Sequence, residues 1–182
     1  MKVIATNIGE RKKIIWKGTH FDTGIFKFPV PSIFLGKEDV EEDKVIDRES
    51  HGGVNKAVYM YSIDHYPFWK EQYKDLDWQY GMFGENISVE GLQETELHIG
   101  DVFKVGEAVV AVSEPREPCS KLGMRFNDGG MVKKFWKTTK CGAYFRVLTL
   151  GEVKAGDELI LIEKHAENKS VAEIYQALKE SL

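Results

Sequence analysis

The chain has only two cysteines, Cys119 and Cys141, in 182 residues. That is too few for a disulfide framework and points to a reducing, cytoplasmic setting. No apolar run approaches the roughly 20 residues that cross a bilayer, so no membrane-spanning helix and no membrane partner are expected. The opening MKVIATNIGERKK has an apolar stretch too short, and in the wrong order, for a secretory signal. Cys-x-x-Cys, His-Glu-x-x-His, GxxxxGK[ST] and GxGxxG are all missing, and the five histidines (20, 51, 65, 98, 165) are scattered. These absences argue against a zinc site, a phosphate loop and a dinucleotide fingerprint. No flavin, haem or iron–sulfur motif is present either.

The net charge is -4, but it is unevenly spread. Residues 115–140 hold seven bases, Arg116, Lys121, Arg125, Lys133, Lys134, Lys137 and Lys140, against Glu117 and Asp128. That segment is +5 and the remainder -9. An acidic body repels nucleic acid phosphates, so no nucleic-acid partner is expected. A local basic pocket suits one small anion instead.

Short β-rich runs dominate: MKVIATNI, two pieces of GIFKFPVPSIFL broken by Pro29 and Pro31, KAVYMYS, ENISVEG, DVFKVG, EAVVAVSE, AYFRVLTL and DELILIEK. Gly100-Asp101 and Gly156-Asp157 each precede an alternating run, a turn device in which glycine relaxes φ and aspartate bonds local backbone. Helices are expected after Pro67 in SIDHYPFWKEQYKDL, in KLGMRF and MVKKFWK, and in SVAEIYQALKESL, whose Ser170 and Glu173 have capping-box spacing. Its Val171, Ile174 and Leu178 form one apolar stripe for packing on the core. Many strands with scattered helices predict a mainly β protein, a mixed-strand barrel over residues 1–165 with the C-terminal helix of 166–182 packed on it.

The segment SEPREPCSKLGMRF carries the chemistry. Pro115 and Pro118 force an extended exit from a strand, and Cys119 then sits at the mouth of a helix, where unpaired N–H groups favour a thiolate. Lys121 and Arg125, at i and i+4, share a helix face, with Leu122 and Phe126 turned inward. A soft sulfur beside cations can grip a metal and an anion. The competing reading is an inert buried thiol, which suits Cys141 better. His51 heads HGGVNKA, whose glycines leave backbone amides free to face a ligand that Lys56 could reach. An ordinary loop histidine is the alternative.

Together, DRESHGGVNKAVYMYSIDHYPFW, FGENISVEG, HIGDVFKVGEAVVAVSEPREPCSKL and GAYFRVLTLGEVKAGDELIL resemble the MOSC domain family (molybdenum cofactor sulfurase C-terminal domain), nearest its stand-alone bacterial YiiM-like subgroup. The resemblance spans residues 25 to about 163. It implies a β-barrel that binds the molybdenum–pterin cofactor, with Cys119 as protein ligand to the metal and catalytic residue. It also implies that Arg116 and Lys121 hold the cofactor phosphate, with Lys56, His51, Glu85, Asn86, Lys27 and Arg125 nearby. The activity implied is reduction of N-hydroxylated compounds, R–NHOH to R–NH2 plus water, a detoxification fed by separate electron-transfer proteins. A sulfur or cofactor carrier working through a Cys119 persulfide is the alternative. A cysteine hydrolase ranks lowest, because no histidine lies near Cys119 in sequence.

Overall fold

The computed structural model describes residues 1–44, 46 and 52–181. Strand β1 (Lys2–Gly9) is followed by a hairpin, β2 (Lys12–Trp16) and β3 (Thr19–Thr23), then by β4 (Lys27–Val30) and β5 (Ser32–Leu35). After β6 (Val58–Ser62) and helix α1 (Tyr66–Gln72) come β7 (Ile87–Glu90), β8 (Val102–Val105) and β9 (Ala108–Pro115). Helices α2 (Ser120–Arg125) and α3 (Met131–Trp136) then precede β10 (Ala143–Thr149), β11 (Gly151–Lys154), β12 (Leu159–Glu163) and α4 (Val171–Glu180). The fold is mainly β with a few short helices.

Eight strands form one sheet in the order β12-β8-β9-β10-β6-β7-β1-β4, antiparallel throughout except for parallel β6–β7. The expected closed barrel is not formed; the sheet is open. Its ends approach each other, since Val3 N–H donates to Asp157 O (2.8 Å) and Leu159 N–H to Met1 O (2.9 Å), with an isolated bridge between Lys2 and Glu158. Closure stops there because β1 pairs with β7 along one side while β4 takes residues 6–9 of the other. Pro29, which has no N–H to give, sits on that edge strand β4.

The alternating runs form strands for the expected reason, with Val3, Val58, Met60, Ile87, Val89, Val110, Val112 and Phe145 fully buried on the inner face. The two Gly-Asp pairs act as turn devices: both glycines have φ of 95°. Asp101 Oδ2 accepts the His98 N–H, and Asp157 Oδ2 accepts the Lys154 N–H. An aromatic layer covers the sheet, with Trp69 stacked on Phe135 (5.7 Å) and Tyr61 on Phe83 (4.2 Å). Phe68 on α1 is 42% exposed, with Lys140 Nζ 5.5 Å from its ring centroid.

Helix α4 carries the full Ser170–Glu173 capping box. Its buried contacts are Val171, Ala172 and Tyr175, with Ile174 and Leu178 only half-buried. Tyr175 stacks on Trp136 (4.6 Å), which fixes the helix against α3.

Candidate functional site

The strand ends around β6, β9 and β10, with the segments following β3 and β9, surround a cleft of about 650 Å3, part of it open to solvent. Cys119, Arg116 and Lys121 line it together, joined by Lys27, Lys56 and Asn86. Six of the nine residues proposed from sequence therefore converge. Tyr59, Tyr144 and Phe83 supply apolar walls, and Asp39 and Asp43 add two carboxylates.

Cys119 occupies the N-cap of α2 in extended conformation (φ -116°, ψ 170°) and is partly exposed. The extended exit that the prolines impose carries β9 into this position. The helix itself contributes less than its sequence suggested. It has six residues, and the Leu122 N–H is taken by Cys119 O at 2.9 Å. Leu122 and Phe126 are buried as expected.

Arg116 is only 3% exposed, its guanidinium lying 5.6 Å from both the Tyr59 and Phe135 ring centroids. Burial alone would lower its pKa. Tyr59, Cys119, Tyr144 and Tyr175 around it outweigh that and hold it above its usual value. Its Nη1 is buried with no hydrogen-bond partner among the described residues. Such a group costs stability unless something completes it. Burial in turn pushes the Tyr144 phenol up to about 12, with Arg116 opposing, so the cleft tyrosines stay neutral.

Lys27 and Asp43 form a buried ion pair, their side chains 9% and 2% exposed. Asp43 also accepts the Gly9 N–H (2.7 Å) and Asn86 Nδ2 (2.8 Å). Asn86 Oδ1 receives the Tyr59 N–H (3.2 Å), and the Asn86 backbone joins β6 to β1. Lys27 and Asn86 thus build the wall of the cleft through Asp43, a residue the sequence did not single out. Lys56 pairs with Glu114 at 3.2 Å, its Nζ 5.9 Å from the Tyr144 ring centroid.

The remaining proposed residues are placed otherwise. Glu85 is fully buried outside the cleft lining, where it accepts bonds from Gly81 N–H (2.9 Å), Phe83 N–H (3.0 Å), Ser88 Oγ (2.9 Å) and Tyr66 Oη. It shapes the loop carrying Phe83 and Gly84. Burial raises its pKa against those bonds. Arg125 diverges from Lys121 and packs over Phe26, 4.9 Å from the ring centroid, outside the lining. His51 lies outside the described residues. Cys141 is fully buried, and burial, then Glu94, pushes its thiol well up. Its carbonyl receives the Tyr59 hydroxyl at 2.8 Å, tying the floor of the cleft to the entry of β10.

Among the described residues no three His, Cys, Asp or Glu converge as metal ligands, and no helix is long and apolar enough to cross a membrane.

Comparison with known proteins adds the family. Residues 47–160 match the MOSC domain model. Uncharacterized protein YflK of Bacillus subtilis is 42% identical over 170 residues, 93% of this chain and 76% of that protein. Protein YiiM of Escherichia coli is 32% identical over 72% of this chain, which spans 60% of YiiM's length. A protein named reductase from Gibberella moniliformis is 35% identical over 71% of the chain, but only 24% of that protein is matched. The crystal structure of YiiM from Geobacillus stearothermophilus superposes with a TM-score of 0.81 at 32% identity, covering 99% of this chain and 84% of that one. The chain belongs to the MOSC domain family, among its YiiM-like members.

Proposed function

We propose that the cleft binds the molybdenum–pterin cofactor and that the chain reduces N-hydroxylated compounds with electrons from separate donor proteins. MOSC domains are associated with molybdenum-cofactor binding in general. The observation that carries the reading here is the pairing of one accessible sulfur with a buried, incompletely bonded guanidinium in the same cleft. Cys119 is a soft donor suited to a molybdenum centre. The unpartnered Nη1 of Arg116 is a ready donor for a phosphate oxygen. The residues present therefore fit the group.

In this arrangement Cys119 would hold the metal through its sulfur. Arg116 and Lys121 would neutralise the cofactor's phosphate, Arg116 from a guanidinium fixed between two aromatic rings. Lys27, neutralised by Asp43, would keep the wall in place and not serve as the anion's main partner. Tyr59, Tyr144 and Phe83 would exclude water from the flat pterin. When bound, the cofactor supplies oxygen-atom transfer coupled to two electrons. The balanced reaction is R–NHOH plus two electrons and two protons giving R–NH2 and water.

The test is metal analysis and reductase assay on protein made in cells able to build the cofactor. Near-stoichiometric molybdenum, lost in Cys119→Ser, is expected, together with reduction of a hydroxylaminopurine or benzamidoxime by a chemically reduced donor. Arg116→Ala should weaken cofactor retention by about 1–3 kcal/mol. No molybdenum, with one extra sulfur on Cys119 by mass spectrometry, overturns this reading in favour of the sulfur carrier. Bound metal without turnover removes the enzyme and leaves the binding protein.

A further inference from the structure

Glu94 and His65, each 5% exposed, form a buried pair that lies outside the cleft lining and has no part in the chemistry proposed for it. His65 ends the single helical turn before α1, and Glu94 stands in the segment between β7 and β8. The His65 Nε2 lies 3.0 and 2.9 Å from the two Glu94 carboxyl oxygens. Oε1 also accepts the Gly142 N–H at 2.8 Å. Burying such a group is unfavourable unless its bonds are met, and here they are met by one ring and one backbone amide.

That amide belongs to Cys141-Gly142, the entry to β10. Ala143 is registered against Pro115, so the chain just before it meets the chain just after Pro115, which is Arg116. The Cys141 carbonyl accepts the Tyr59 hydroxyl at 2.8 Å, and the Arg116 guanidinium lies 5.6 Å from the Tyr59 ring centroid. Gly142, at φ +66°, packs directly on β6: a Cβ there would stand 2.5 Å from Met60 O and 2.9 Å from Tyr59 Cε2. The Glu94 carbonyl in turn accepts the Ala172 N–H of α4 (3.0 Å), and Tyr175 of that helix is another of the groups acting on Arg116.

We propose that Glu94 is a positioning residue. By holding the Gly142 N–H it fixes the Cys141 carbonyl, which tethers Tyr59 through its hydroxyl, and so sets where the Arg116 guanidinium stands in the cleft. The reach of the carboxyl does this, not its charge. A ligand-contacting group keeps a productive geometry only when its neighbours lock it, and Glu94 is the origin of that lock here. The consequence for anion binding rests on the cofactor-phosphate role given to Arg116 above; the tether does not.

The test uses the full chain without cofactor and two readouts. One is the Arg116 Nε–H resonance by NMR, identified by its loss in Arg116→Lys; the other is affinity for inorganic phosphate by titration. Glu94→Asp keeps the charge but is one methylene too short for Gly142, whereas Glu94→Gln keeps an oxygen at full reach without the charge. The Arg116 resonance should be displaced in Glu94→Asp and in Tyr59→Phe and stay near its parent position in Glu94→Gln. Phosphate affinity should fall about tenfold in the first two, as for one lost hydrogen bond, and less than about threefold in Glu94→Gln. Glu94→Asp combined with Tyr59→Phe should bind little worse than either alone, because both cut the same tether. Tyr59→Phe and Glu94→Gln are near-isosteric and keep the test decisive even if Glu94→Asp folds poorly. An Arg116 resonance unmoved by Glu94→Asp and Tyr59→Phe overturns the inference, as does one moved equally by Glu94→Gln, or additive losses in the double variant. A displaced Arg116 in a chain whose parent binds no phosphate leaves the tether standing and overturns the phosphate role of Arg116 instead.

Discussion

Replacing Lys27 by Met tests whether the cleft wall is as dry as its geometry indicates. The substitution leaves the Asp43 carboxylate, 2% exposed, with only the Gly9 N–H and the Asn86 amide as partners. Removing one member of a buried ion pair costs about 3–5 kcal/mol, since the remaining charge is neither solvated nor matched. Domains of this kind are stable by about 5–15 kcal/mol in total, so the loss is a large fraction. With a urea m-value of about 2 kcal/mol/M, the unfolding midpoint should fall by about 1.5–2.5 M, and Tm by about 6–20 °C. Urea titration followed by tryptophan fluorescence reads the effect directly. Adding Asp43→Ala completes a double-mutant cycle, whose coupling should exceed about 2 kcal/mol. A loss below about 1 kcal/mol for Lys27→Met, the value of an exposed pair, would refute the reasoning. Asp43 would then be reached by water, and the wall formed by Lys27, Asp43 and Asn86 would not be rigid.

Three other outcomes are expected. Gly142→Ala should destabilise the fold by more than about 2 kcal/mol by thermal denaturation, because φ is +66° and an added Cβ would stand 2.5 Å from Met60 O. Under native conditions a chromogenic disulfide reagent should modify Cys119 and spare Cys141 until denaturant is added, since Cys119 is partly exposed and Cys141 is buried with its thiol pushed up. The Asp128 carboxyl is held down to about 2 by Lys134, Tyr73 and the Gly130 N–H. Its folded pKa lies below its unfolded one, so its stabilisation is present above the ordinary carboxylate range and disappears as pH falls through about 2. Asp128→Asn should therefore be less stable than the parent at pH 6 and indistinguishable from it near pH 2 in denaturant titrations.

Much of this architecture was legible because half-buried strands write their burial as alternation. DVFKVG, EAVVAVSE and AYFRVLTL became β8, β9 and β10 within a residue or two. The β2–β3 hairpin escaped because its turn residues are Lys17-Gly18, with φ of 51° and 79°. Both positions need positive φ, which asparagine or aspartate usually signals at the first, and lysine does not. Openness of the sheet was illegible for another reason. It depends on β4 and residues 157–159 sharing one side of β1, a competition between segments distant in sequence.

The site followed the same division. The sulfur and Arg116 were marked by proline punctuation and local charge, and they converge. FGEN placed two residues near the cleft, but adjacent residues of an extended chain point opposite ways, so Asn86 faces it and Glu85 does not. Asp43 lies in the run EDVEEDK, where one acid looks like the next. Only its three buried bonds distinguish it.

The single parallel pairing, β6 with β7, has a kinetic consequence. Those strands are joined by residues 63–86, a crossover that also carries Trp69, Phe83 and Asn86. A parallel register cannot zip outward from a tight turn; the intervening chain must be drawn in before the first rung forms. The aromatic packing around Trp69 and Phe83 is what can hold that loop closed meanwhile. Assembly of the floor of the cavity is therefore coupled to the slowest topological step of the chain, and mutations that loosen the aromatic layer should delay the appearance of ligand-binding competence more than that of bulk β-structure.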